Sequence, residues 1–193
     1  MVDRKLKPGS DEDLMLRYAG GDLGAFQRLY ESHRGGLYRY FLRQSNRSVA
    51  EELFQDVWAS VIQSRKRYRP KAAFKTWLYT LAHNRLVDHW RREGTRPAAQ
   101  SASGDDCPEI AAPDTNPGPQ RLVDLRDCLE QLLQLVSDLP DVQRQTFLLR
   151  YEAGMSLAQI AEAMSTGAET VKSRLRYAMD RLRAAIAKEC LEG

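Results

Sequence analysis

The amino-acid sequence predicts an all-α protein, made of two small helical domains joined by a flexible Pro-rich linker. Apolar residues recur three and four positions apart on both sides of the middle of the chain, the spacing of one helix face. No stretch alternates apolar and polar residues over the length of a useful strand. Five of the eight prolines fall within residues 94–120, a Ser-, Ala- and Asp-rich segment without apolar periodicity. We therefore expect domains at residues 10–93 and 121–188, with a linker at residues 94–120.

The overall composition excludes several classes of protein. An apolar fraction of 42% is sufficient for packed cores. No stretch approaches the ~20 apolar residues of a membrane helix, and MVDRKLKPGSDED lacks the apolar block of a secretory signal. The cysteines are odd in number and widely spaced, which favours a reducing compartment over a disulfide framework. We expect a cytoplasmic protein with no membrane insertion. The cysteines are Cys107, Cys128 and Cys190.

Charge is distributed unevenly, although the formal net charge is only +3. Residues 65–92 contain nine Lys or Arg against one acid, Asp88, whereas residues 94–120 contain four acids against Arg96. The last predicted helix is basic again. Two basic surfaces separated by an acidic spacer indicate two contacts with a polyanion.

Side chains that can accept a hydrogen bond from free backbone N–H groups predict three helix starts in the first domain. The predicted caps are Ser10 with Asp13, Asp22, and Ser48 with Glu51. Adjacent glycines at positions 35 and 36 lie inside another helical pattern. Because each costs ~0.5–1 kcal/mol relative to Ala, we expect a kink or break there.

The second domain contains the pattern of a helix-turn-helix. Ser156 with Gln159 predicts a capping box that opens a short helix, SLAQIAEA. After the turn MST, Thr166 with Glu169 predicts a second capping box and a longer helix from about residue 168. Such a pair of helices is typical of proteins that place the second helix in the major groove.

The internal spacing of this motif separates a packed face from an outward face. Ala161 allows close approach of the helices, and Val171 and Leu175 pack the second helix onto the first. Short hydroxyls and cations are left facing outward, where they can contact bases and phosphates. An ordinary helical hairpin with a solvated basic face is the alternative, which we consider less favoured. The outward residues are Thr170, Lys172, Ser173, Arg174, Arg176 and Tyr177.

In the first domain, the run RKRYRPKAAFKTWLYTLAHNRLVDHWRR interleaves aromatic residues with cations. Such a surface can bind single-stranded nucleic acid, because bases stack on rings while cations follow the backbone. Helical spacing favours a core role for Trp77 and its neighbours over a stacking platform. The amide of Asn84 suits either a base contact or an ordinary surface or capping position.

No catalytic or cofactor site is predicted. His83, Asp88 and His89 raise the question of a metal, but the two His are six residues apart and lack a third ligand nearby. We therefore predict no metal and no cofactor. A phosphate-binding Gly loop and a Ser/His/Asp spacing are also missing, which argues against an enzyme.

Taken together, these segments resemble extracytoplasmic-function sigma factors of bacterial RNA polymerase. The resemblance rests on VAEELFQDVWASVIQ, FKTWLYTLAHNRLVDHWRR, the Pro-rich linker and SLAQIAEAMSTGAETVKSRLRYAMDRLRAAI, in this order over about residues 10–186. It implies a region 2 domain for core binding and −10 recognition, and a region 4 helix-turn-helix for −35 recognition. It also implies promoter DNA, core RNA polymerase and an anti-sigma factor as partners.

The resemblance assigns a role to each predicted site. ELFQDVW is similar to the segment that docks on the clamp helices of the largest polymerase subunit, through Glu52, Leu53, Gln55 and Asp56. Asn84 occupies the position of the residue that captures a flipped −10 base. The apolar face around Leu129, Leu132 and Leu133 resembles the region that meets the flap of the second-largest subunit. The −10 set is Arg67, Tyr68, Arg69, Lys71, Lys75, Tyr79, His83, Asn84, Arg91 and Arg92. The −35 set is Arg150, Thr170, Lys172, Ser173, Arg174, Arg176 and Tyr177.

Two other functions remain open from the residues alone. A helix-turn-helix regulator with a helical sensor domain is the main alternative, and binding to core polymerase distinguishes it from a sigma factor. A nuclease using His83 and His89 is the second, and metal-dependent cleavage would reveal it.

Overall fold

The computed structural model describes residues 7–94 and 129–192, with side chains as far as residue 186. Every regular element in these two ranges is helical, which confirms the predicted fold class. None of the helices there is long and apolar enough to cross a membrane. The predicted linker lies outside the described residues except for Gly94. The α-helices are α1 (Asp11–Ala19), α2 (Leu23–Leu42), α3 (Arg47–Ser64), α4 (Phe74–Glu93), α5 (129–137), α6 (Asp141–Tyr151), α7 (Leu157–Ala163) and α8 (Ala168–Glu192).

Helices α1 to α4 form the N-terminal domain around one apolar core. Neighbouring helices pack in sequence, α1 on α2, α2 on α3 and α3 on α4, as short connections favour. The apolar stripes predicted from helical spacing face this core. Its fully enclosed side chains include Met15, Leu29, Leu37, Tyr40, Phe41, Leu53, Phe74, Leu78 and Leu86.

Two of the three predicted helix caps in this domain are confirmed. Ser10 Oγ accepts a hydrogen bond from the N–H of Asp13 (3.3 Å), and Asp22 Oδ1 accepts one from the N–H of Ala25 (3.1 Å). The Ser48 cap is wrong, because α3 begins at Arg47 and Asn46 Oδ1 accepts from the N–H of Val49 (3.0 Å). Asn is as good a cap as Ser, so the earlier residue starts the helix.

The N-terminus of α4 is capped from elsewhere in the chain. Ala73 precedes the helix and its side chain has no acceptor. Glu12, from α1, accepts a hydrogen bond from the N–H of Phe74 at 2.7 Å. A carboxylate also interacts favourably with the positive end of the helix dipole. The contact therefore links the first helix of the domain to its last.

The predicted kink at Gly35 and Gly36 is wrong, because α2 runs unbroken from Leu23 to Leu42. Leu37, Tyr40 and Phe41 follow directly and are fully buried. Burial of side chains this large stabilises the last turns by more than the two glycines cost.

Helices α6 to α8 pack on one another in the C-terminal domain, where α7 and α8 form the predicted helix-turn-helix. The first capping box is confirmed in both directions, with Ser156 accepting from the N–H of Gln159 and Gln159 accepting from the N–H of Ser156. The second is wrong. Helix α8 begins at Ala168, one residue later than a Thr166 cap requires, and Glu169 accepts instead from Lys172.

Two backbone positions in this domain adopt left-handed conformations. Ser165, in the turn between α7 and α8, has φ +49°, and Gly154, in the turn between α6 and α7, has φ +63°. Glycine adopts such a φ without steric cost, whereas other residues adopt it rarely. A short polar side chain is tolerated at such a position better than a branched one.

A buried arginine joins α5 to α6. The Arg144 side chain is only 2% exposed and pairs with Asp141 Oδ1 at 2.8 Å. It also donates to the backbone carbonyls of Ser137 (2.7 Å) and Leu139 (3.4 Å). These bonds satisfy the carbonyls at the end of α5, which a buried helix end requires.

The two domains touch each other through α4 and α7. Beside this packing, Arg39 Nε of α2 lies 2.8 Å from Glu152 Oε1, just after α6. The side chains are 28% and 16% exposed, so the ion pair is partly withdrawn from water.

Replacing Gly35 by Ala should raise the free energy of unfolding by ~0.5–1 kcal/mol, because the position is helical and an added Cβ meets only the flexible end of Arg39, at 3.4 Å. Gly36→Ala should raise the free energy of unfolding by less, since its Cβ would lie 3.1 Å from Tyr79 Oη. Urea titration followed by Trp fluorescence measures both, because Trp58, Trp77 and Trp90 all lie in the N-terminal domain. Equal gains for the two variants would contradict the crowding at Gly36.

Candidate nucleic-acid interface

Helix α8 turns an apolar side inward and a polar side to solvent. Of the predicted packing residues, Val171 is buried, and Ala161 and Leu175 are partly buried against the core. Ala178 and Leu182, further along α8, are buried as well. Thr170, Lys172, Arg176 and Tyr177 are exposed, whereas Ser173 and Arg174 are partly buried. The N-terminal half of α8 therefore presents one continuous surface of hydroxyl and cationic groups.

The cations on this surface make only weak contacts within the protein. Lys172 Nζ lies 2.7 Å from Glu169 Oε1, with side chains 56% and 85% exposed. Such exposed pairs contribute little stability, so Lys172 can exchange the carboxylate for a phosphate at small cost. The Arg176 guanidinium lies 5.1 Å from the centre of the Tyr177 ring, a cation–π arrangement that holds both at the surface.

Arg150 has a structural contact as well as an exposed position. Its Nη1 donates to the carbonyl of Met155 at 2.9 Å and so stabilises the turn between α6 and α7. The side chain remains at the surface. Its role at DNA stays a prediction.

In the N-terminal domain, a basic loop of residues 65–73 connects α3 to α4. Tyr68 is buried at the centre of this loop and its ring meets the Trp77 ring edge-on, with centroids 5.1 Å apart. Trp77 is itself partly buried and also contacts Phe74. These rings therefore anchor the loop, while Arg67, Arg69 and Lys71 remain exposed around them.

Lys75, Tyr79 and His83 lie four residues apart on one side of α4, facing the C-terminal domain. Tyr79 is only 2% exposed, packs edge-on against Tyr40, and has its pKa raised by burial. Burial, followed by the nearby charge of Arg174, lowers the pKa of His83. In this arrangement Tyr79 packs inside the protein and does not reach the surface.

Asn84 lies next to this face but outside it, and its side chain is exposed. Arg91 and Arg92 are exposed further along α4, where Arg91 pairs with Asp88 at 3.2 Å. The amide of Asn84 is thus accessible to a base, although Tyr79 is not.

Helix α3 presents the predicted docking residues, with one exception. Glu52 and Gln55 are exposed and Asp56 is partly buried. Leu53 is 1% exposed and belongs to the core, so its contribution to a docking surface can only be indirect. Helical geometry accounts for the difference, because position 53 falls on the same inner stripe as Ala50 and Val57.

Within residues 7–94 and 129–192, the structure brings no three His, Cys, Asp or Glu side chains together as a metal site. Sequence patterns did not indicate the contacts of Glu12, Arg144 and the Arg39–Glu152 pair. The members of this pair are 113 residues apart, so no local pattern could have indicated it. Arg144 stands between Gln143 and Gln145, so no apolar pattern in the sequence indicated its burial.

Comparison with known proteins identifies both domains. The family model Sigma-70 region 2 matches residues 29–96, and Sigma-70, region 4 matches residues 135–184. The chain is 32% identical over 173 residues to the ECF RNA polymerase sigma factor SigK of Mycobacterium sp. (strain KMS), covering 86% of each chain. It is 29% identical over 187 residues to SigK of Mycobacterium ulcerans (strain Agy99), covering 91% of this chain and 95% of that one.

A solved structure shares the fold. CnrH, in complex with the cytosolic domain of CnrY, superposes with a TM-score of 0.67 at 18% identity. The match covers 92% of this chain and 97% of CnrH.

Proposed function

The chain belongs to the extracytoplasmic-function family of RNA polymerase sigma factors, and we propose how its surfaces divide the recognition of a promoter. As a member of this family it directs promoter-specific transcription initiation. We assign recognition of the −35 element to α8 and recognition of the −10 element to the basic loop and α4. Helix α3 binds core polymerase in this assignment. An anti-sigma factor is the further partner that we infer from the family.

The assignment of α8 rests on one observation above all. Val171, which packs the second helix onto the first, is buried, while Thr170, Lys172 and Arg176 are exposed on the N-terminal half of the second helix. A helix with this polarity fits the major groove, where hydroxyls and cations contact phosphates and base edges. Ser173 and Arg174 extend the surface towards its buried edge.

The −10 assignment rests on exposed cations beside an exposed amide. Arg67, Arg69 and Lys71 in the basic loop supply charge for a phosphate backbone, and Asn84 supplies a donor and an acceptor for one base. Tyr68 supports this surface from beneath. Trapping an unstacked base offsets the cost of unpairing it.

The polymerase contacts are assigned to two separate faces. Glu52, Gln55 and Asp56 form the polar side of α3 that docks on the clamp helices. On α5, Leu129 is 40% exposed and forms part of the apolar face that meets the flap. Attachment of both domains to one polymerase makes the second DNA contact effectively intramolecular, so neither domain needs high affinity alone.

Changing both Gln55 and Asp56 to Ala should weaken binding to core polymerase by about tenfold, because loss of interface contacts of this kind costs ~1–2 kcal/mol. Fluorescence anisotropy of labelled protein against core enzyme measures the change. The matched control is the double Ala variant of Gln27 and Glu31, an exposed amide and carboxylate on α2 that bond each other at 2.9 Å. If the two double variants bind core equally well, this face of α3 does not dock.

Lys172→Ala should weaken binding to a −35 duplex and reduce the slope of log K against log salt by about 1, since one phosphate contact is lost. Filter binding at several salt concentrations provides both quantities. Arg181→Ala removes the same charge from a later exposed position on α8 and serves as the control. An unchanged slope for Lys172→Ala would mean that this side of the helix does not face DNA.

Asn84→Ala should reduce open-complex formation ten- to a hundredfold, while binding to core and to the −35 duplex persists, because one base contact contributes ~1–3 kcal/mol. Transcription from templates varied at each −10 position identifies the base that Asn84 contacts. Gln63→Ala, an exposed amide on α3, is the control. Equal loss on every template would contradict a base-specific role.

A further inference from the structure

We propose that Glu169 determines the specificity of the −35 contact, because its carboxylate accepts a hydrogen bond from the N4 amino group of one cytosine. This inference rests on the −35 role proposed above for α8, and it names what one position of that helix recognises. The sequence pattern predicted Glu169 as half of a capping box with Thr166, and not as a contact to DNA.

Glu169 lies at the centre of the outward face of α8. With 3.6 residues per turn, Glu169, Ser173 and Arg176 follow one line along the helix. The buried residues Val171 and Ala178 lie on the opposite side. The Glu169 side chain is 85% exposed. A groove that receives the N-terminal half of α8 therefore receives this carboxylate as well.

The carboxylate contributes little to the fold. Helix α8 begins at Ala168, too late for a capping box with Thr166. Among the residues that the structure describes, Glu169 Oε1 accepts a hydrogen bond from Lys172 Nζ at 2.7 Å, and exposed pairs of this kind are weak. An acid in the first turn also interacts favourably with the helix dipole. That effect is the alternative explanation, and it predicts no influence on base preference.

Among the four bases, cytosine is the one whose major-groove edge suits a carboxylate. Guanine and thymine present acceptors there, and adenine places its N7 acceptor beside its N6 donor. Cytosine presents the N4 amino group without a neighbouring acceptor. Residues at the N-terminus of a recognition helix contact base edges, and Glu169 is the second residue of α8. Its carboxylate is therefore placed to select cytosine.

Neighbouring cations offset the repulsion between this carboxylate and the phosphates. Lys172 pairs with it, and Arg176 lies two turns further along the same line. An ionised carboxylate has two acceptor oxygens, and a lysine ammonium has three donors. One oxygen can thus accept from a base while the other stays with Lys172, which still has donors for a phosphate. Glu169 therefore lowers affinity for DNA in general, except where a cytosine N4 group meets it.

Selection of −35 sequences by the holoenzyme tests the inference. The full chain is combined with core polymerase and a promoter library randomised across the −35 element, and the bound sequences are read. The wild type should select cytosine on one strand at one position. Glu169→Ala should lose that preference and keep those at other positions. On duplexes that differ only there, thymine in place of cytosine should weaken wild-type binding by about tenfold, equivalent to 1.4 kcal/mol, and hardly affect the variant.

Glu169→Gln separates hydrogen bonding from charge, because it keeps the length of the side chain. An amide presents a donor and an acceptor, which match N7 and N6 of adenine, so the preference should move from cytosine to adenine. Both variants should bind non-specific DNA more tightly than the wild type, since a negative charge is removed from the interface. Circular dichroism confirms that each variant is folded.

Asp180 provides a matched control on the same helix. It lies eleven residues, or three turns, after Glu169 and therefore on the same side. Its side chain is 59% exposed and pairs with Arg183 at 3.8 Å, in the same i,i+3 spacing as Glu169 with Lys172. Because it lies about 16 Å further along the axis, Asp180→Ala should leave the selected −35 sequence unchanged.

Three results would overturn the inference. They are a Glu169→Ala variant that selects the same bases as the wild type, a lost preference for a base pair without cytosine, and an Asp180→Ala variant that loses the same preference. The proposed function fails in a different way. A wild-type holoenzyme that selects no −35 sequence would overturn the role of α8 and the inference with it, whereas the three results above leave that role intact.

Discussion

Four side chains of α4, at intervals of four residues, are completely withdrawn from solvent, and this stripe constrains the rest of the N-terminal domain. They are Phe74, Leu78, Ala82 and Leu86. Because the stripe must face the core, the orientation of every other α4 residue follows from helical geometry. Lys75, Tyr79 and His83 are directed to one flank, and Asn84 lies on a neighbouring, exposed one. The Glu12 carboxylate then holds the first turn of the same helix in place.

In the basic segment, the aromatic residues pack against one another and the cations around them lie at the surface. Tyr68, Phe74 and Trp77 contact one another edge-on or tilted, with centroids 5.1–6.3 Å apart. Aromatic contacts of this geometry add to the stabilisation that burial alone provides. The loop that carries Arg67, Arg69 and Lys71 is consequently fixed from within. A fixed cationic loop loses less conformational entropy when it binds a strand than a mobile one would.

In the C-terminal domain, a buried charged side chain holds the end of one helix against the next. Arg144 is nearly inaccessible to solvent, and burial lowers its pKa, although Asp141 partly opposes the shift. The side chain bonds the backbone where α5 ends, which leaves α6 and α8 free to pack through apolar surfaces. Removing one partner from such a network is expensive, because the remaining groups stay buried without compensation. The packing that supports α8 therefore depends on Arg144 keeping its partners.

Local chemistry in the sequence was enough for the helical class, the caps at Ser10, Asp22 and Ser156, and the two-helix DNA-binding motif. Each depends on residues within about one helical turn of each other, or on periodicity along one helix. The family resemblance, confirmed by the comparisons, added the function. The start of α3, the unbroken α2 through Gly35 and Gly36, and the burial of Leu53 and Tyr79 were decided only by tertiary structure. So was the pairing of Arg39 with Glu152. These features depend on which distant helices meet, and the free energy of that packing exceeds the local preferences that a sequence pattern records.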